Sequence, residues 1–254
     1  MGVTEKLYGL AFKGIKRALN PVKKRVIRTE CEVHKFINNQ SVVILENDGY
    51  HDAHQLMSSY IEDINAGVVW ADQDLKSSNH FYSPHSFRGL YGNSNAKKEC
   101  LAYYHKALNE YFHCDYHCAM FYLGAACHLI QDLTVPQHAN VRLLDNHRSF
   151  EKWVICAYKH HDEFRVRRGG IYLKSLKRYI TMNSCKAIDT YKRYERIRDQ
   201  EVRFHKIAQK VLVMAQKTTA GLMLSFFRDI QRIKPTNRYK RMFFKKVRLP
   251  AHSI

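Results

Sequence analysis

Residues 116–140 read YHCAMFYLGAACHLIQDLTVPQHAN. Their spacing predicts a helix from Tyr116 to about Leu133, ended by Val135-Pro136 because the residue before proline avoids the helical region. His128 and Asp132 lie four residues apart on that helix, share one face, and can bind a single cation. Gln137-His138 follows the proline directly, and nine residues later His147 and Glu151 form a second pair at the same spacing. Imidazole with carboxylate and no thiolate is the ligand set of a catalytic zinc site. One such pair is ordinarily a helix-surface hydrogen bond. Two pairs bracketing Pro-x-His within 24 residues point instead to a metal centre.

Helical periodicity continues on both sides. Val33, Phe36, Ile37, Val43 and Ile44 recur at helical spacing, as do Leu56, Tyr60, Ile61 and Ile64. Further helices are expected over Ala96–Phe112, Ser149–Tyr158, Leu173–Tyr194 and Asp199–Ile230, with a turn at Gly169-Gly170. Gly67 to Gly92 is expected to break the pattern, being rich in Asp, Ser and Asn. No strand-like alternation between turns and no internal repeat occurs. The chain has 254 residues, with only 5 Pro and 11 Gly. The expected architecture is all-α, a single multi-helix bundle with a metal cluster at one end. No apolar run reaches the roughly 18 residues of a membrane span. The seven cysteines include no CxxC pair, which argues against a zinc ribbon or disulfide scaffold. They read as mostly buried free thiols in a reducing compartment.

The run HLIQDLTVPQHAN (128–140) resembles the signature of the bacterial zinc-dependent phospholipase C family, which joins H-x-x-x-D to P-x-H. Leu129, Gln131 and Asn140 depart from that pattern. SVVILEND (41–48), following His34, is similar to the family's N-terminal region, and WADQDLKSSNHFYSP (70–84) resembles its D…H-F-Y-x-P loop. The resemblance spans about residues 29–153. It implies two to three Zn²⁺ ions: Asp72, His80, His128 and Asp132 on the first, His138, His147 and Glu151 on the second, and His34 with a bridging Asp132 on the third. Family members complete the third site with an N-terminal Trp. This sequence has no Trp near that position, so either Glu30 or Cys31 is the expected substitute or the third site is weakly occupied, against the plainer reading of Cys31 as a buried thiol. Trp70 and Phe81 are read first as packing groups and second as contacts for a choline headgroup. His51, His54, His113, His117, His160 and His161 are read as surface or capping residues.

The activity implied is hydrolysis of a phospholipid of the phosphatidylcholine type to diacylglycerol and a phosphorylated headgroup by metal-activated water. Asp72 is the candidate general base, with plain zinc ligation its alternative role. Two other readings stay open: a single-strand nuclease of related zinc-cluster architecture, and a catalytically degenerate protein that binds zinc and membranes.

Net charge bears on this choice. The chain carries 42 Lys+Arg against 23 Asp+Glu, a formal +19, which suits an anionic partner. Residues 1–28, read as a basic amphipathic helix rather than a signal peptide, contribute +7, and residues 230–254 contribute +8. The body between them holds only +4. The organisation expected is therefore an N-terminal helix (1–28), a helical phospholipase C-like domain (29–231) and a basic tail (232–254). Charge at both ends suits an anionic membrane surface better than a groove tracking nucleic acid. A cytoplasmic location, or one on the inner membrane face, is expected, with secretion left open by the family resemblance.

Overall fold

The computed structural model describes residues 31–73, 79–90, 94–141 and 147–232. The basic helix expected over 1–28, Glu30 and the tail after Arg232 lie outside these residues. The described residues form α1 (Glu32–Asn47), α2 (His51–Ser59), α3 (Ile61–Asp72), α4 (Ala96–Phe112), α5 (Tyr116–Asp132), α6 (Pro136–Asn140), α7 (His147–Ala157), α8 (Leu176–Tyr194) and α9 (Gln200–Arg232). A short 3-10 turn spans Asp162–Phe164, and no strand occurs among the described residues. The all-α bundle predicted from periodicity is the fold observed. No helix among the described residues is long and apolar enough to cross a membrane.

The centre is α5. From Leu123 to Asp132 every residue is buried, so this helix is enclosed on all sides. It packs against α3 and α4, with α9 and α8 behind, and Met120, Leu123, Cys127, Leu129 and Ile130 anchor the main core. Local chemistry sets the helix ends. Asp115 starts α5 by accepting the Cys118 amide at 3.0 Å, and Asn95 does the same for α4 through Lys98. At the end of α1, Gly49 takes φ +83, while Tyr50 N–H reaches the Leu45 carbonyl and Gly49 N–H reaches that of Glu46. These two bonds form a Schellman cap, which needs a residue in the left-handed region.

The residue pair closing SVVILEND has a structural job. Asp48 accepts hydrogen bonds from Gly169 N–H, Gly170 N–H and the Tyr172 hydroxyl, and Asn47 donates to the Arg167 carbonyl. Together they clasp the 167–172 connection to the end of α1.

Three sequence expectations are corrected. The break expected from Gly67 begins later, because α3 continues to Asp72. The helix expected across Leu56–Ile64 is interrupted at Tyr60, which lies between α2 and α3. Of the seven free cysteines, only Cys31, Cys100 and Cys127 are buried.

Gly67 remains helical because α3 and α5 cross there at backbone contact. A methyl at Gly67 would stand 1.8 Å from the Phe121 carbonyl oxygen, and one at Gly124 would stand 2.0 Å from that of Ile64. Glycine at both positions is what permits the crossing. Gly124→Ala must push the helices apart and is expected to lower unfolding free energy by about 1–3 kcal/mol. Urea denaturation checks this, and an unchanged midpoint would show that the crossing is looser than described.

Candidate metal centre

The crossing brings the start of α1 and the ends of α3 and α5 together. α1 supplies His34, α3 ends on Asp72, and α5 supplies His128 and Asp132 in its last two turns. The chain then turns through Thr134 and Val135, whose amides bond back to Gln131 and Asp132, and restarts α6 with Pro136 at its first position. This returns His138 towards the end of α5. Its carbonyl accepts the Tyr82 amide at 3.1 Å, which fastens the loop carrying His80.

Asp132 is the hub. Its Oδ2 lies 2.9 Å from His80 Nδ1 and 3.1 Å from His128 Nε2, while Oδ1 faces His34 Nε2 at 3.6 Å. His80 Nδ1 and His128 Nε2 are 3.2 Å apart. Donor atoms around a tetrahedral zinc with bonds of about 2.0–2.1 Å sit roughly 3.3 Å from one another. The His80–His128–Asp132 triangle matches that spacing. Asp72 Oδ1 lies 4.0 Å from His128 and forms a candidate donor triad with His80 and His128. Asp132 Oδ1 faces His34, and His34, His128 and Asp132 form a second candidate triad that shares His128 with the first.

Electrostatics agree with the geometry. Burial opposes ionisation of Asp132, but the charges of His128 and His138 and hydrogen bonds from His128 and His80 outweigh it and hold the carboxyl well below its ordinary range. Burial would likewise depress His128, yet Asp132, then Asp72 and Glu151, raise its pKa instead. Burial and the neighbouring His128 lower the pKa of His34. A buried imidazole ringed by three carboxylates is the environment of a cation, so these residues fit Zn²⁺.

His34, Asp72, His80, Asp132, His138 and Glu151 line one cavity of about 510 Å³, and His128 is buried beside His80. His147 opens α7 as its spacing with Glu151 requires, but its side chain lies outside the described residues. Cys31 stands just before α1 in the left-handed region (φ 48) and donates its thiol to Asp72 Oδ2 at 3.1 Å. It is thus both a buried thiol and a neighbour of the cluster. Burial, followed by the Asp72 charge, pushes its pKa far up. Phe81 is buried and stacks on His138, and Trp70 packs among Tyr103, Phe121 and Tyr122, so both act as packing groups.

The sequence reading missed the support behind His34. Gln131, noted there only as a departure, is 1% exposed and faces His34 Nδ1 through its Oε1 at 2.8 Å. Its amide donates to Asn38 Oδ1 at 2.8 Å and Thr219 Oγ1 at 3.2 Å, and Asn38 donates to Asn65 at 3.0 Å. An amide oxygen can only accept, so Nδ1 carries the proton and the Nε2 lone pair is aimed at Asp132. The readable signal was the i,i+3 placement of Gln131 behind His128, in a stretch of α5 that is buried throughout.

A family model described as zinc dependent phospholipase C matches residues 33–215. This chain belongs to that family. It is 26% identical over 247 residues to a phospholipase C of Clostridium novyi, covering 82% of this chain and 61% of that protein. The alpha toxin of Clostridium absonum superposes with a TM-score of 0.70 and that of a Clostridium perfringens avian strain with 0.68. Each is 20% identical, over 80% of this chain and 65% of the other. The chain therefore spans somewhat under two thirds of these relatives.

Gln131→Leu would strand His34 Nδ1, Asn38 and Thr219 without their partner. Affinity for the most weakly held zinc is expected to fall about 10–100-fold, as for other residues that orient metal ligands. Competition with a chromophoric chelator reads this directly. Wild-type affinity at every site would remove the orienting role.

Proposed function

We propose that this chain is a zinc-dependent phosphodiesterase that hydrolyses phospholipids of the phosphatidylcholine type to diacylglycerol and a phosphorylated headgroup. The observation that carries this reading is the mixed lining of the cavity. The His/Asp/Glu cluster shares it with apolar side chains, among them Val33, Ile37, Phe150, Val154, Val211 and Leu212. A lipid presents a phosphodiester joined to a hydrocarbon body, and the two kinds of lining suit these two parts. No Lys or Arg lines the cavity among the described residues, and its Phe81 is already stacked on His138. A polynucleotide would ask for cationic groups and free aromatic faces, so lipid is favoured over single-stranded nucleic acid.

In this reading Asp72, His80, His128 and Asp132 would hold one ion, and His138, His147 and Glu151 a second. His34 and Asp132 would contribute to a third, with Cys31 or Glu30 as the remaining candidate ligands. Bound zinc lowers the pKa of a water and offsets the charge that develops on the phosphodiester. The protein does the rest. Asp72 stays ionised: burial opposes this, but the neighbouring His128 and His34 and the Cys31 thiol hold its pKa down. Its half-exposed carboxylate at the cavity wall can then orient and deprotonate the attacking water. The apolar lining receives the glycerol end and keeps bulk water from the phosphorus. The basic ends of the chain meet the anionic membrane surface from which substrate is drawn.

Phosphatidylcholine vesicles, anionic phospholipid vesicles and single-stranded DNA offered to the zinc-loaded protein separate the alternatives. Turnover of phosphatidylcholine that a chelator abolishes and zinc restores is expected. Asp72→Asn should cut kcat by about 10²–10⁴-fold, the range of a general base. Cleavage of DNA alone would make the protein a nuclease, and zinc binding without turnover would make it a binding protein.

A further inference from the structure

A second His/carboxylate cluster lies outside the cavity just described. His161 Nδ1 stands 3.3 Å and His205 Nε2 3.0 Å from the same oxygen of Glu163, Oε1. Together the three residues place one ligand atom each within 4.8 Å of one another. His161 and Glu163 come from the connection between α7 and α8, and His205 from the first turns of α9. The side chains are 35%, 42% and 28% exposed, so the cluster is reachable from solvent.

Aromatic rings flank both imidazoles. Phe164, fully buried, lies 4.9 Å from the His161 ring and 5.3 Å from the His205 ring. Trp153 of α7 stacks on His161 at 26° and meets His205 edge-on. Ordered rings reduce the entropy lost when a ligand is bound. Two imidazoles and a carboxylate, with solvent access for water, form a donor set suited to zinc and other borderline divalent ions.

We propose that His161, Glu163 and His205 form an additional zinc-type site, separate from the cluster in the cavity. An ion there would tie the 3-10 turn at Asp162–Phe164 to α9. Gln216 of α9 already holds the same segment by donating to the Phe164 carbonyl at 2.6 Å and accepting the Val166 amide at 2.9 Å.

The test uses the full chain. Zinc bound at equilibrium is counted by elemental analysis in the parent and in a His161→Gln/His205→Gln double variant, and Cu²⁺ is titrated while tryptophan emission is read. The parent is expected to bind one equivalent more than the variant. Cu²⁺ should quench Trp153 in the parent only, with phospholipid hydrolysis equal in both. Equal zinc counts, or equal quenching, would overturn the site. Should the double variant fail to fold by circular dichroism, Glu163→Gln takes its place. It is expected to weaken binding of the extra ion at least about tenfold, and unchanged affinity would overturn the proposal equally.

Discussion

Two helices touching backbone to backbone set the conditions for everything else in this molecule. Gly67 of α3 and Gly124 of α5 leave no room for a methyl group, and each stands against the other helix's carbonyl. The crossing fixes the ends of both helices in register one turn further on. There Asp72 faces His128, four residues from Asp132. Side chains larger than glycine would widen the gap between α3 and α5 and separate the carboxylate from the imidazole it faces.

The second constraint is electrostatic. A helix buried on all sides ordinarily carries apolar residues, yet the last turns of α5 bury His128, Gln131 and Asp132 together. Such groups are costly in a core unless paired, and charged ones more so. The polar layer of Asn38, Asn65, Gln131 and Thr219 pairs its own amides and hydroxyls and aims His34. What it leaves in the middle is a set of lone pairs and carboxylates converging on one point. A divalent cation satisfies that arrangement better than protons do, since it neutralises the carboxylates and uses the imidazole nitrogens as they are aimed.

Much of this was legible in the sequence because helices keep neighbours in sequence as neighbours in space. The i,i+4 pair His128–Asp132 and the proline that returns His138 could be read from spacing alone, and α4 runs from Ala96 to Phe112 as periodicity required. What resisted reading depended on contacts between distant segments. Gly67 looked like a breaker because the carbonyl that demands it belongs to Phe121, on another helix. Gln131 looked like a departure because its partners His34, Asn38 and Thr219 are remote in sequence. The left-handed backbone that turns the Cys31 thiol onto Asp72 has no local signal, since cysteine rarely adopts it. His161 read as a surface residue because its partner His205 is supplied by α9.

In the proposed reaction water attacks phosphorus and expels the glycerol oxygen of a phospholipid. Hydrolysis of phosphatidylcholine by the zinc-loaded protein in ¹⁸O-enriched water tests it most directly, with both products analysed by mass spectrometry. One ¹⁸O is expected in the phosphate of the released phosphocholine and none in the diacylglycerol. Label in the diacylglycerol would contradict it, as would phosphatidic acid and free choline as the products.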